Sequence, residues 1–442
     1  MYLIGNGIMI TRDAVKPLIA DGCLVVDGNL IKEVGTTAEL KAKYPKAQFM
    51  DAKGRLIMPG MIDTHMHYYS TFARGWANSS PTPSDFMDIL KGTWWKLDKE
   101  LTLEDVYYSA MAPLIDSVRA GVTTVFDHHA SPHAILGSLG MIAEAAEKVG
   151  VRSNLCYELS DRDGEKIADQ GIRENAEFIA HCASRKDDML KAMFGLHASF
   201  TVSDKTLEKA IKANPTSDAG FHVHTAEGPD DEVLCEKEHG KRIVERFRDF
   251  GILGPKTIAV HCVHVDDREI EILAETKTQV VHNPESNMGN AVGCSRVLDF
   301  FKAGINVGLG TDGYTCDMLE SFKVENIIHK HVQKNPSVAW GESATMLFEN
   351  NIKICNEYIE KPIGRLAAGF LADIILVDYE PWTPLNENNI NSHLLFGCSG
   401  SHVNTTIING KVVYKDREMQ TVDVQEVMGK GREVAARLWK RL

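Results

Sequence analysis

Two histidines close an apolar run near the start of the chain, at His65 and His67 of the stretch 58–67. In an extended strand, residues two apart project from the same face, so both imidazoles would point toward one position. Imidazole is the commonest metal-binding side chain, and two rings that converge from one strand need little more to bind a divalent ion. The pair therefore predicts a metal site, provided that further ligands follow at the ends of later strands.

Further candidate ligands stand directly after other short apolar runs, five histidines and one aspartate: His128, His197, His224, His261, His282 and Asp312. One buried histidine needs no function, but the recurrence of histidine at equivalent positions indicates a shared site. Asp312 lies between Gly310 and Gly313, and glycines let the backbone approach a ligand closely. Three imidazoles and one carboxylate form a shell that suits zinc, and also iron or manganese.

A second His-x-His pair, His222 and His224, is followed by Glu227. The spacing alone leaves open which of the two histidines is the ligand. A carboxyl group in a half-dry pocket has a raised pKa and can transfer a proton, so Glu227 is a candidate acid–base residue. The alternative is that Glu227 lies in the first turn of a helix, where a carboxylate interacts well with the helix dipole.

The elements that must position these residues alternate between short apolar strands and helical stretches such as 142–149 and 231–250. After the strand that precedes His65, seven further strand segments are predicted, at 121–127, 151–157, 190–196, 220–224, 257–261, 278–282 and 305–310. Eight strands in βαβ order predict an α/β fold with a closed, TIM-like (β/α)8 barrel, whose carboxyl strand ends form one mouth. An open doubly wound sheet is the alternative, but no glycine-rich phosphate turn follows the first strand.

The two ends of the chain contain short strands broken by turns, including a hairpin signal at Asp27-Gly28. Neither end is large enough for a core of its own, so we expect 1–57 and 365–420 to form one composite β-sandwich domain. The metal-dependent barrel would then occupy 58–364, and 421–442 would be a C-terminal helix.

The composition limits the partners and the compartment. Of 442 residues, 44% are hydrophobic and 25% charged, as in ordinary soluble proteins. The net charge of −13 argues against binding to nucleic acid or to an anionic membrane surface. No stretch approaches the roughly 18–20 apolar residues of a membrane helix, and the N-terminus lacks a signal-peptide pattern. Nine scattered cysteines are typical of reduced thiols, so we expect a cytoplasmic protein.

The ordered set of motifs resembles the amidohydrolase superfamily, in its mononuclear-metal deaminase and chlorohydrolase branch, and looks most like aminohydrolases of the SsnA type. The segments that carry the resemblance span nearly the whole chain: 59–67, 224–227, 259–264, 281–287, 310–313, 362–373 and 408–411. The resemblance implies one divalent ion, zinc before iron or manganese, with four ligands: His65, His67, His224 and Asp312. It also implies that Glu227 protonates a substrate nitrogen and that His261 orients the attacking water and polarises the developing oxyanion.

Three other residues bear on the substrate and on the number of metal ions. His197 matches a position at which relatives contact the substrate, and His128 is a candidate to recognise an acidic substrate oxygen. Relatives with two metal ions use a bridging lysine on the fourth strand. Here Lys191 lies at the beginning of that strand, far from the mouth, which favours a single ion.

The function implied by the resemblance is hydrolytic deamination of a purine- or pyrimidine-like nitrogen heterocycle. A divalent ion lowers the pKa of bound water from 15.7 to about 7, and the resulting hydroxide would attack a carbon of a C–N bond while Asp312 takes the proton. Ring opening of a cyclic amide or amidine, or dechlorination of a triazine, is the alternative, and a non-enzymatic binding protein is a third reading. By the same resemblance we expect a homo-oligomer, dimeric or larger.

Overall fold

The computed structural model describes residues 1–214 and 219–442 of the chain. The N-terminal segment forms five strands: β1 (Tyr2–Ile10), β2 (Leu18–Asp27), β3 (Leu30–Thr36), β4 (Gln48–Asp51) and β5 (Leu56–Pro59). The predicted hairpin joins β2 to β3, which pair antiparallel. Gly28 occupies this turn with φ +63°, a left-handed conformation that glycine adopts without steric cost.

The middle of the chain contributes nine parallel strands: β6 (Met61–Met66), β7 (Val122–His129), β8 (Arg152–Tyr157), β9 (Leu190–Ala192), β10 (Phe194–Ala198), β11 (Phe221–Thr225), β12 (Ile258–His261), β13 (Gln279–His282) and β14 (Val307–Leu309). Seven of the eight predicted strand segments overlap one of these strands each, and the segment 190–196 overlaps two, β9 and β10. The strands form two parallel sheets, β6-β7-β8-β9 and β10-β11-β12-β13-β14. Their near-continuous apolar sequences fit strands that are covered on both faces.

Isolated parallel bridges connect the edges of these two sheets, one between Met66 and Asp312 and one between Leu159 and Leu196. At the first junction the His65 carbonyl oxygen accepts hydrogen bonds from the backbone N–H groups of Thr311 and Asp312, at 3.1 and 2.9 Å. The structure thus has a mixed α/β fold in which the first and last parallel strands, β6 and β14, are in contact.

The C-terminal segment forms four more strands: β15 (Ile374–Val377), β16 (Val403–Ile408), β17 (Lys411–Lys415) and β18 (Glu418–Met419). They share one nine-stranded sheet with the N-terminal strands, in the order β18-β17-β16-β15-β5-β1-β2-β3, with β4 paired to β1. The two ends of the chain meet where β15 pairs antiparallel with β5, from Ile374 opposite Pro59 to Val377 opposite Leu56.

Helices cover the parallel sheets and follow the last strand: α1 (Thr37–Lys43), α2 (Phe86–Ile89), α3 (Trp95–Leu97), α4 (Leu103–Arg119), α5 (Ser138–Val149), α6 (Glu165–Ser184), α7 (Asp204–Ala213), α8 (Pro229–His239), α9 (Ile243–Asp249), α10 (Asp267–Thr276), α11 (Pro284–Gly289), α12 (Val297–Lys302), α13 (Met318–Gln333), α14 (Trp340–Thr345), α15 (Asn351–Asn356), α16 (Ile390–Gly397) and α17 (Val424–Trp439). The helical stretch predicted at 231–250 is two helices, because Gly240 ends α8 with φ +65°. Within the described ranges, none of the helices has the length and apolarity needed to cross a lipid bilayer.

A buried ion pair between Arg152 and Asp373 joins the parallel strands to the terminal sheet. Both side chains are 1% exposed. Arg152 also donates to Thr124 Oγ1 at 3.2 Å and to the Asp188 carbonyl at 2.9 Å, and Asp373 accepts from the Asn409 backbone N–H at 2.7 Å. Burial lowers the pKa of the Arg152 guanidinium, but Asp373 more than reverses this, so the guanidinium is charged.

We expect Asp373→Asn to lower the free energy of unfolding by about 3–5 kcal/mol, because it leaves the Arg152 charge buried without its partner. The control is Glu177→Gln, which breaks an ion pair with Arg173 whose side chains are both 61% exposed. That change should cost only about 0.3–0.5 kcal/mol. Urea denaturation of both variants measures the difference, and equal losses would contradict a stabilising role for the buried pair.

Candidate active site

The four side chains predicted as metal ligands lie together at the carboxyl ends of β6, β11 and β14. His67 Nε2 is 3.2 Å from His224 Nε2 and 3.3 Å from Asp312 Oδ1. His65 Nε2 is 3.9 Å from the same Asp312 oxygen. His128 joins this group, since one ring nitrogen from each of the four histidines lies within 4.8 Å of the others. Sequence positions far apart in the chain therefore converge on one point.

Backbone carbonyl groups at neighbouring strand ends orient two of these rings. His67 Nδ1 donates to the carbonyl oxygen of His128 at 2.5 Å, and His224 Nδ1 donates to that of His197 at 2.9 Å. A proton held on Nδ1 leaves Nε2 with a free lone pair. In their neutral forms, both rings consequently present an electron-pair donor to the centre of the cluster.

His222 occupies a different position from His224, its partner in the His-x-His pair. Its Nε2 lies 2.9 Å from His65 Nδ1, and its ring stacks on that of His128 with centroids 4.6 Å apart. Its other nitrogen, Nδ1, is 3.7 Å from Cys156 Sγ. His222 thus contacts His65 through Nδ1 of that ring, whereas His224 lies in the cluster itself.

The protonation of the cluster follows from burial. Burial lowers the pKa of His65 and His224 well below the ordinary value, and the neighbouring imidazoles lower it further. For His67, burial also opposes the charge, but Glu158 and Asp312 outweigh it and raise the pKa to about 10. His65 Nε2 has no hydrogen-bond partner among the described residues although it is fully buried. Neutral imidazoles and a carboxylate around an unsatisfied nitrogen fit a divalent cation, which would compete with the His67 proton.

Glu158 belongs to the site and was missed by the sequence analysis. It directly follows β8, and its Oε1 lies 3.0 Å from His67 Nδ1 and 3.6 Å from His128 Nδ1. Its Oε2 is 3.9 Å from His197 Nε2. Burial raises the pKa of Glu158, yet His67 and its neighbours lower it overall, so the carboxylate is charged. The signal was present, since Glu158 follows the predicted strand 151–157 just as the histidines follow theirs.

Glu227 and His261 face each other beside Asp312. Glu227 Oε2 is 3.2 Å from His261 Nε2, which is 3.8 Å from Asp312 Oδ2. His261 Nδ1 donates to Asn287 Oδ1 at 2.8 Å, which leaves Nε2 as the acceptor. Burial, together with the charge of Asp312, raises the pKa of Glu227 well above that of an ordinary carboxyl. The pair can therefore hold a proton on Glu227 at neutral pH.

A cavity opens above the cluster and has polar residues on its floor and aromatic walls. The floor includes His67, His197, His224, Glu227 and Asp312. The walls include Tyr69, Phe86, Trp94, Trp95, Phe200 and Tyr314. His197 thus lines the cavity, whereas His128 is fully buried and does not line it. Polar groups beside aromatic side chains in one concave cavity are typical of small-molecule sites.

Lys191, the residue considered for a second metal ion, is occupied elsewhere. It lies in β9, at the beginning of the fourth strand position, and its Nζ pairs with Asp188 Oδ1 at 3.0 Å. The nine cysteines of the chain all lie in the described residues, where none forms a disulfide.

Comparison with known proteins adds independent information. The model of the amidohydrolase family matches residues 56–413, and an imidazolonepropionase-like composite domain matches residues 22–47. A 5'-deoxyadenosine deaminase of Methanosarcina mazei is 30% identical over 447 residues, covering 100% of this chain and 99% of the relative. A 5-methylthioadenosine/S-adenosylhomocysteine deaminase of Syntrophomonas wolfei is 30% identical over 444 residues, with 99% of both chains covered.

The fold is also similar to a solved structure, an adenosine deaminase from Xanthomonas campestris with bound zinc. The TM-score is 0.87 at 22% sequence identity, with 99% of this chain and 98% of the other covered. A family match over most of its length and full-length relatives at 30% identity show that this chain belongs to the amidohydrolase family, as a hydrolase that acts on carbon–nitrogen bonds.

Proposed function

We propose that the protein deaminates an adenine nucleoside by hydrolysis, replacing the exocyclic amino group with a carbonyl oxygen and releasing ammonia. The observation that carries the proposal is the Glu227 carboxyl, which is buried, held in its neutral form and 3.2 Å from His261 at the floor of an aromatic-walled cavity. Such a group can give a proton to a ring nitrogen. The full-length relatives, which carry names of 5'-deoxyadenosine and methylthioadenosine deaminases, support the adenine class.

We assign one divalent ion, zinc, to the cluster with four ligands: His65, His67, His224 and Asp312. Three observations support this choice. His65 Nε2 has no hydrogen-bond partner among the described residues, and backbone carbonyl groups hold the Nδ1 protons of His67 and His224 away from the centre of the cluster. The similar structure from Xanthomonas contains bound zinc. When bound, the ion supplies Lewis acidity, which lowers the pKa of coordinated water to about 7.

The protein groups around the ion would orient the attacking water and accept the proton that it loses. His261 Nε2, fixed as an acceptor by Asn287, can accept a hydrogen bond from the water, and Asp312 Oδ2 lies 3.8 Å away to take the proton. After attack on the amino-bearing carbon, His261 Nε2 would accept a hydrogen bond from the new hydroxyl group and keep it oriented. Glu227 would protonate the adjacent ring nitrogen, and Asp312 would pass the proton taken from the water to the amino group, which would leave as ammonia. As the carbonyl forms, the proton of the new hydroxyl group would return to the Glu227 carboxylate.

The cavity walls suit a flat purine. Trp94, Trp95 and Phe200 offer aromatic surface beside the polar floor, and the Trp95 ring lies 6.2 Å from that of His197. Offset or edge-to-face contacts with these rings would hold a heterocycle over the cluster. We assign His197 to contact the substrate. His128, behind the lining residues, would support the ligands instead.

We also infer the finer architecture. The bridges between the edges of the two parallel sheets support one closed (β/α)8 barrel over 58–364. The sheet shared by both chain ends supports a composite domain of 1–57 and 365–420, followed by the helical segment 421–442. The cytoplasmic location and the homo-oligomeric state stay predictions.

The proposal predicts ammonia release from adenine nucleosides by protein of known zinc content. We expect turnover of adenosine, 5'-deoxyadenosine or methylthioadenosine, with a matching change from an adenine to a hypoxanthine spectrum. Guanine, cytosine, a cyclic urea and a chlorotriazine serve as comparison substrates. Acid or chloride release from the last two without deamination would favour the ring-opening or dechlorinating alternative, and no turnover of any compound would contradict an enzymatic role.

Glu227→Gln should lower kcat by about 10²–10⁴-fold, because the amide cannot supply the proton. The matched control is Glu174→Gln, since Glu174 is also buried but bonds only to the backbone N–H groups of Gly137 and Leu139. Zinc content and circular dichroism should stay at wild-type values in both variants. A fully active, zinc-loaded Glu227→Gln protein would remove the proton-transfer role.

His222→Ala should weaken zinc binding by about 10–100-fold, because it frees the ring of His65 from its supporting contact. His222→Gln, which keeps a hydrogen-bonding group near the same position, should recover part of that loss. Competition with a chromophoric chelator measures the affinity of each variant. Equal affinities in wild type and His222→Ala would show that the 2.9 Å contact has no positioning role.

A further inference from the structure

A second group of metal-binding side chains lies beside the candidate active site and has no part in the proposed reaction. His282 ends β13, Cys294 lies between α11 and α12, and His329 lies in α13. One ligand atom from each lies within 4.8 Å of the other two. Cys294 Sγ is 3.7 Å from His329 Nδ1, and the two imidazole rings have centroids 5.4 Å apart. We call these three residues the His282 cluster.

The polar atoms of this cluster are buried without adequate partners. His282 is 0% and His329 2% exposed, yet Nε2 of each ring lacks a hydrogen bond within the described residues. Glu325, one helical turn before His329, is 0% exposed, and both of its carboxylate oxygens also lack hydrogen bonds there. Its Oε1 lies 3.1 Å from His329 Nε2 without forming one. Buried polar atoms are nearly always satisfied, so this concentration points to a missing ligand.

We propose that His282, Cys294 and His329 bind a second divalent metal ion, of which zinc is the one that their donors suit. A thiolate and two imidazoles are preferred zinc ligands, and they are softer than the all-nitrogen-and-oxygen set of the candidate active site. Glu325 would orient His329 through Nε2 while Nδ1 faces the thiolate. Carboxylates behind metal-bound histidines commonly serve in this way. Cys294 is partly exposed, which provides a route for the ion.

The competing arrangement is a metal-free ion pair. Burial lowers the pKa of His329, but Cys294 and Glu325 outweigh it and raise the pKa to about 9, so without an ion this ring is an imidazolium next to Glu325. Zinc binding requires a neutral imidazole, and it would therefore release the proton of this imidazolium. The ion-pair arrangement predicts that no zinc binds at the cluster.

The second ion would stiffen the support of His261. His282 Nδ1 lies 3.0 Å from Ser295 Oγ, which donates to the His261 carbonyl at 2.6 Å. Asn287 contacts both rings, with Nδ2 3.4 Å from His282 Nδ1 and Oδ1 2.8 Å from His261 Nδ1. Fixing His282 would therefore fix the hydrogen bonds that orient His261, so that the cluster acts as a positioning site.

Metal analysis of the full-length protein, loaded with zinc and freed of excess, tests the stoichiometry. We expect two zinc ions per chain in the wild type and one in Cys294→Ala. Cys23→Ala removes a buried cysteine from the terminal sheet and should retain two. One ion per chain in the wild type, or two in Cys294→Ala, would overturn the proposal.

Cobalt substitution tests the ligand set in the wild-type protein, so the main result does not depend on the folding of a variant. Cobalt-loaded wild-type protein should show thiolate-to-cobalt charge-transfer absorption, which the candidate active site cannot produce because its predicted ligands contain no sulfur. His67→Ala should lose one metal ion and keep this band, and Cys294→Ala should lose the band. Absence of the band from cobalt-loaded wild type would overturn the proposal and leave the proposed function intact.

Discussion

The contact between the first and last parallel strands is the constraint on which the site depends. The backbone N–H groups of Thr311 and Asp312 both donate to the His65 carbonyl, and Thr311 Oγ1 donates to Asp63 Oδ2 at 2.5 Å. Burial raises the pKa of Asp63 to about 7, although the bonds from Thr311 and His65 oppose the rise. Gly310 allows this approach, because a Cβ there would lie 3.0 Å from the His65 carbonyl oxygen. A shift at this junction would separate Asp312 from the imidazoles.

Crowding so many imidazoles into one buried volume creates an electrostatic problem that the fold solves in two ways. Burial keeps His65, His128 and His224 neutral, since charged rings in contact would repel one another. The His197 carbonyl then holds the proton of the neutral His224 ring on Nδ1, the nitrogen that faces away from the centre. Glu158 supplies a negative charge behind His67. The strand ends thus provide both the candidate ligands and the acceptors that orient them.

Much of this arrangement follows from spacing, and the rest depends on contacts between strands. The period-two pattern predicted that His65 and His67 lie on one face of a strand. The positions of three other residues directly after strand segments predicted that they lie near this pair: His224, His261 and Asp312. The pattern could not separate His222 from His224, because both project from one face of β11. Depth along the strand distinguishes them, since His222 lies one pleat deeper and contacts the ring of His65. Glu158 was not predicted because a single carboxylate after a strand, with no His-x-His pair or flanking glycines beside it, has no distinguishing pattern.

The His282 cluster shows a different limit. His282 follows a strand and could be selected by position, but Cys294 comes from a loop and His329 from the middle of α13. No period relates these positions, so only the packing of α13 against the strand end brings them together.

The backbone at the strand ends explains why the side chains are in place before a substrate arrives. Ala226, His261 and Asp312 have φ values of +49°, +70° and +54°, in the left-handed region that residues with a Cβ seldom adopt. Such conformations persist where surrounding contacts over-determine them. Here the contacts are hydrogen bonds between neighbouring strand ends, such as those from Cys262 N to the Thr225 carbonyl at 2.9 Å and from Asp312 N to the His65 carbonyl. The turn that ends each strand is therefore fixed by its neighbour, and the direction of each functional side chain is set by the pairing of the strands rather than by the ligand.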